Sequence, residues 1–209
     1  MKKRMSLAQR VNILRASVMG ANDGILSVAG IVVGVAGATT NSFSILISGL
    51  AGMLAGTISM AMGEYVSVNT QKDSQKMAIT KQKAALADDY EAEASLVVQK
   101  YVDQGISKPL AQQATREMMA EDALTTTVRE RYGFNPNQFI SPYAAGIASM
   151  IAFPTGSILP LVSITFFPPR VKVLATVLAV GIALMITGYV AAMLGNLSLI
   201  HISEPRDTR

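Results

Sequence analysis

The sequence predicts an all-α protein, an integral membrane helical bundle of four spans with a cytoplasmic helical insert between spans two and three. Three observations carry this. The 209 residues are 50% hydrophobic and only 15% charged, with a mean hydropathy of +0.37, the profile of a membrane protein carrying one water-soluble segment. The forty residues between Asp23 and Glu64 contain no charged side chain, which is two spans' worth at about 20 apolar residues each. Charge of both signs concentrates in residues 68–137 and is absent again from Tyr132 to Pro169. The chain therefore divides into a lead-in and membrane hairpin (1–67), the insert (68–137), spans three and four (138–195) and a short tail (196–209).

Residues 1–15 alternate Lys2, Lys3, Arg4, Arg10 and Arg15 with Leu7, Val11, Ile13 and Leu14, a basic amphipathic segment suited to the cytoplasmic face. The apolar run continues straight into the hairpin with no cleavage signature, so the first span reads as uncleaved. That span runs from about Val11 to Ala38, and its Gly20/Gly24 and Gly30/Gly34 pairs have the spacing that lets membrane helices approach closely. Gly49, Gly52 and Gly56 repeat the pattern on the second span, so spans one and two are expected to pair tightly. The polar cluster Thr39–Ser42 is the turn between them. Counted from Asn41, Asp23 and Met60 each lie ~27 Å along their helices and so at one depth, with Glu64 one turn nearer the cytoplasm on the face of Met60.

The second helix continues into water through Lys72 to Leu86. A helix from about Asp89 to Gln104 follows and ends at Gly105. The next runs from Ser107, with Pro109 in its first turn, to Arg131 before Gly133, with a break near Asp122–Leu124. Span three covers Ser141 to Val162, where Pro154 and Pro160 are expected to kink or end it. Phe166–Arg170 is the return loop, and Val171 to Leu194 is span four. Lys and Arg concentrate in residues 1–15 and the insert, which places both termini and the insert in the cytoplasm.

Ionisable groups inside a span usually face a partner or a water-filled path. Asp23, Met60 and Glu64 are therefore the candidate ligands of a cation path, the alternative being that the acids mark the membrane interface. Asn22-Asp23-Gly24 also reads as a local break that bares backbone carbonyls. There is no cysteine, and the only histidine is His201. Any site in the body of the protein must use carboxylates, carbonyls, water and thioethers, which favours Mn²⁺ or Fe²⁺ over zinc. In the insert, Glu93 and the i, i+4 pair Glu117 and Glu121 could converge on a cation; the alternative is a solvated acidic face balanced by Lys81, Lys83 and Lys100. No basic stripe suggests nucleic acid. With no nucleophile–base pair, phosphate loop or HExxH, an enzyme is not expected.

The segments Ala21-Asn22-Asp23-Gly24-Ile25 and Ser59-Met60-Ala61-Met62-Gly63-Glu64-Tyr65, followed by Gln71-Lys72-Asp73, resemble the vacuolar iron transporter family in its bacterial form. The similarity covers about residues 8–195. It implies a homodimer that exports Fe²⁺ or Mn²⁺ from the cytoplasm by proton antiport, across the inner (plasma) membrane of a bacterium, with no cofactor beyond the transported ion. Members have five membrane helices and a metal-binding insert, and their path residues fall on Asp23 and Met60. This chain departs from the plant pattern at Gly52, where plant members have a glutamate. In the insert, Gln82, Ala85, Glu93 and Leu96 stand near the plant glutamates, and Thr127, Val128 and Arg131 stand in place of a methionine pair and a glutamate. A fifth helix should follow Gly195, but the remaining residues are too few, so the tail reads as a non-native scar. The competing function is a membrane-anchored metal buffer or sensor through which no ion crosses.

Overall fold

The computed structural model describes residues 7–194. The first six residues of the basic lead-in and the tail, 195–209, lie outside the described residues. The described residues form six helices: α1 (Leu7–Ala38), α2 (Ser42–Asp88), α3 (Tyr90–Asp103), α4 (Lys108–Tyr132), α5 (Pro142–Phe166) and α6 (Lys172–Leu194). Among the described residues there is no strand. By length and composition, α1, α2, α5 and α6 can each cross a membrane. The helices fall into two units, one built from Arg10–Val66 with the helices from Pro142 onward, the other from Ser67–Ser141.

In the membrane unit α1 touches three neighbours. The turn after it is closed by Asn41, whose Oδ1 accepts from the Phe43 and Ser44 amides at 3.0 and 3.1 Å, so α2 begins with its free N–H groups capped. Beyond the turn, Val28, Val32 and Ile45 pack with Phe153, Leu161 and Ile164 of α5, while Ile25 and Ala29 meet Val180 of α6. Lipid gives no hydrophobic drive between helices, so close backbone approach matters here. A Cβ on Gly24 would collide with the Phe153 carbonyl, and one on Gly156 with the Ala21 carbonyl.

Those contacts correct one expectation. Gly20 and Gly24 receive α5, not α2, and Gly30 and Gly34 have open space beside them. The α1–α2 contact is made instead by the glycines of α2, with Ile31 over Gly52 and Val32 over Gly49, while Gly56 takes the Phe153 ring. A second expectation also changes, because Asn22-Asp23-Gly24 remains helical. Its polar groups find neighbours without a break: the Thr187 hydroxyl donates to Asn22 Oδ1 at 2.6 Å, and the Ser157 hydroxyl lies 3.3 Å from the Gly24 carbonyl. Pro154 and Pro160 likewise sit inside α5, which runs on to Phe166. Membrane helices tolerate such prolines where packed neighbours and Ser/Thr hydroxyls support the backbone.

In the insert unit, α3 starts at Asp89, whose carboxylate accepts from the Ala92 amide at 2.9 Å, and Gly105 leaves it at φ +94°. The α4 helix opens with Pro109 in its first turn and closes at Gly133, φ +74°. It is interrupted at Asp122 (φ −155°, ψ 92°). The Asp122 carboxylate there accepts from the Thr125 amide at 2.9 Å and its hydroxyl at 2.7 Å, so the second half of α4 starts with its own cap.

Candidate functional site

Met60 and Glu64 share the inward face of α2. Met60 packs against the Val28–Phe153 cluster. Glu64 is buried, with 8% of its surface exposed, and Arg15 Nη2 of α1 donates to its Oε2 at 3.1 Å. The same guanidinium reaches Asn12 Oδ1 at 3.2 Å and the Met19 sulfur at 3.4 Å. A carboxylate this buried needs a partner, and its own chain supplies one.

Asp23 lies midway between Arg15 and Ile31 on α1, and the residues those two meet, Glu64 and Gly52, are centred on Ile58 of α2. Asp23 and Met60 therefore differ in depth by about two residues, ~3 Å. Their azimuths differ more. Asp23 is exposed, because α2, α5 and α6 occupy the other faces of α1, and it has no hydrogen bond or ion pair among the described residues. Within one chain, then, Met60 and Glu64 share a seam and Asp23 stands apart from it. Beside Asp23 on its exposed face is Met19, 48% exposed and one turn away. Sequence reasoning passed over Met19 and Arg15, although their three- and four-residue spacing from Asn12 to Asp23 is visible in the sequence.

In the insert, Glu93 does not join Glu117 and Glu121. Glu93 faces inward and is 9% exposed, whereas Glu117 and Glu121 lie on the exposed side of α4, where Gln113 donates to Glu117 at 3.0 Å. No three Asp, Glu, His or Cys side chains converge among the described residues. Glu93 instead accepts from Gln82 Nε2 of α2 at 2.6 Å and from Arg131 Nη1 of α4 at 2.9 and 3.0 Å. Close by, Glu130 pairs with Lys100 and Arg129, each at 3.1 Å, and the Lys100 ammonium also donates to the Glu130 carbonyl. Burial tends to raise the Glu130 pKa, but the hydrogen bonds from Lys100, Arg129 and Tyr101 outweigh it and hold the carboxyl below its ordinary value. Burial first, then Glu130, pushes the Tyr101 hydroxyl up.

These features define a polytopic α-helical membrane protein with one uncovered carboxylate inside its first span and a second carboxylate held by an arginine of the same chain. The VIT family model matches residues 14–203, and the chain belongs to that family. It is 34% identical to "Vacuolar iron transporter" of Acanthamoeba castellanii over 188 residues, 90% of this chain and 69% of that protein. It is 32% identical to "Vacuolar iron transporter homolog 2.1" of Arabidopsis thaliana, covering 97% and 77% of the two chains, and 31% identical to "Vacuolar iron transporter homolog 5" of Oryza sativa subsp. japonica, covering 95% and 74%. All three organisms are eukaryotes, so these relatives lend no support to a bacterial inner membrane.

Proposed function

We propose that the chain is a membrane transporter that carries Fe²⁺, or Mn²⁺, out of the cytoplasm in exchange for protons, and that it works as a homodimer. The observation that carries the reading is Asp23. It is a carboxylate within the first span, within about two residues' depth of the Met60 thioether and left uncovered by the described residues of its own chain. A charge facing lipid costs roughly 2.5–3.5 kcal/mol or more, which a partner helix or a wet path removes. A second copy meeting this face of α1 would bring two Asp23 side chains together. Iron comes from the names of the relatives; carboxylates together with a thioether suit Fe²⁺ or Mn²⁺ better than Mg²⁺ or Ca²⁺, which prefer all-oxygen shells. Asp23 would be the hard ligand and proton acceptor, with the Met60 thioether and, nearer the cytoplasm once Arg15 releases it, the Glu64 carboxylate as further groups of the path on the separate α2 seam. The crowding of Lys and Arg in the N-terminal segment and the insert supports a cytoplasmic location for both.

Proteoliposomes with an internal pH dye test this directly. Wild type is expected to take up Fe²⁺ and Mn²⁺ while protons move the other way. Asp23→Asn should lower uptake at least about tenfold, since even changes to groups behind a metal ligand cost 10–100-fold. Met60→Leu keeps the side-chain volume and removes only the sulfur, so Fe²⁺ uptake should fall while the fold persists. Unchanged uptake in Asp23→Asn would remove the site from the path.

A further inference from the structure

The Glu93 site in the insert already contains a cation. Three helices meet there: α2 supplies Gln82, wholly buried, α3 supplies Glu93, and α4 supplies Arg131. Arg131 Nη1 spans both carboxylate oxygens at 2.9 and 3.0 Å, and Gln82 Nε2 takes a further position on Oε2 at 2.6 Å. The guanidinium therefore stands where an ion held by both oxygens of Glu93 would have to stand. Its charge-assisted hydrogen bonds are among the stronger ones available to a carboxylate.

The surroundings reinforce this. Glu93 and Arg131 line a cavity of about 180 Å³ together with Lys100, Thr127 and Glu130, and Arg129 pairs with Glu130 at its edge. Two carboxylates thus hold ion pairs with three cations, Lys100, Arg129 and Arg131. An entering divalent ion would have to displace a guanidinium and then sit beside uncompensated positive charge, which is repulsive at these distances. The buried Gln82 Oε1 has no hydrogen-bond partner, so an oxygen that a bound ion could use is present, and the Glu93 carboxylate beside it is taken by Arg131.

We propose that Arg131 is the resident cation of the insert: tethered to α4, it closes the Gln82–Glu93 site to divalent metal and joins α2, α3 and α4 without one. Glu93 and Arg131 are then positioning residues of the insert and stand outside ion binding. The proposal does not depend on the transport reading, because its readout is the order of the insert itself.

Hydrogen exchange of the full chain in detergent, compared in EDTA and in excess Mn²⁺, tests it. In wild type, exchange across Tyr90–Asp103 and Lys108–Tyr132 is expected to be the same in both conditions. In Arg131→Met, which keeps an apolar stem and removes the charge, those amides should exchange at least about tenfold faster in EDTA, and Mn²⁺ should slow them again. Either of two results overturns the proposal. One is a wild-type insert protected tenfold or more by Mn²⁺, with that protection abolished by Glu93→Gln; the other is an Arg131→Met insert that exchanges like wild type. The comparison of wild type with Glu93→Gln decides the matter even if Arg131→Met fails to fold.

Discussion

Gly156 and Gly24 mark the place where the backbones of α1 and α5 touch, each facing a carbonyl of the other helix. Backbone cannot move aside as a flexible side chain can, so Gly156→Ala should separate the helices at a cost of about 1–3 kcal/mol, as overpacking does elsewhere. Thermal unfolding in detergent should show a lower midpoint for that variant. Gly181→Ala, with open space beside it, should leave the midpoint unchanged or raise it slightly, since alanine is the better helix former. The glycine spacing announced close approach in the sequence, but spacing cannot say which helix arrives, and α5 took the place expected for α2. Glu130 yields a pH prediction at the same scale. Its folded pKa is below the ordinary 4.5, so it adds stability above that value, and the stability is lost as pH falls through the folded pKa. The Asp122 carboxyl, lowered from 3.8 chiefly by the Thr125 hydroxyl, has the same sign. Acid titration of α3–α4 followed by hydrogen exchange should show no loss near neutrality and a loss below about pH 4.5, blunted in Glu130→Gln.

Among the elements, α4 is really two helices joined at Asp122. Asp122→Ala deletes the cap of the second half and should cost about 1 kcal/mol, read as faster amide exchange from Thr125 onward with α3 little affected. This break was legible, because a capping residue followed by Thr125 and Thr126 interrupts a charged helical pattern. The hairpin was legible for a similar reason: a charge-free length fixes two spans, and one polar cluster with a capping Asn41 fixes where they reverse. Equal counts from that turn put Asp23 and Met60 at one depth, whereas the contacts of Arg15 and Ile31 set them about two residues apart. Azimuth was not legible, since it depends on how many helices surround α1, and no periodicity in α1 alone reports that. Of the kink or end expected at the prolines of α5, the end does not occur, for a related reason. Their local effect is to end a helix, whereas the close packing of α5 on α1 at Gly24 and Gly156, within which α5 runs on, comes from tertiary context.

For the molecule as a whole, the main consequence is a face of α1 that the described residues leave bare. Ser27 lies on it beside Asp23, and Gly30 and Gly34 continue it with open space. The protein has no cysteine, so Ser27→Cys introduces a single thiol. Mild oxidation of membranes should give a disulfide-linked dimer from Ser27→Cys and none from Leu174→Cys, on the exposed side of α6. A chain that stays monomeric in both would end the homodimer proposal. Membrane class and the four helices able to span followed from charge distribution alone. The ion pairs Arg15–Glu64 and Arg131–Glu93 did not, because they join residues far apart in sequence and depend on faces that only packing decides.

The contrast between Glu64 and Asp23 also has an electrical side. Arg15 and Glu64 together carry no net charge, so a voltage across the membrane does almost no work on the closed pair. A carboxylate at Asp23, when charged, has no counter-charge beside it among the described residues, and a full crossing of the field by one elementary charge is worth about 2.3 kcal/mol per 100 mV.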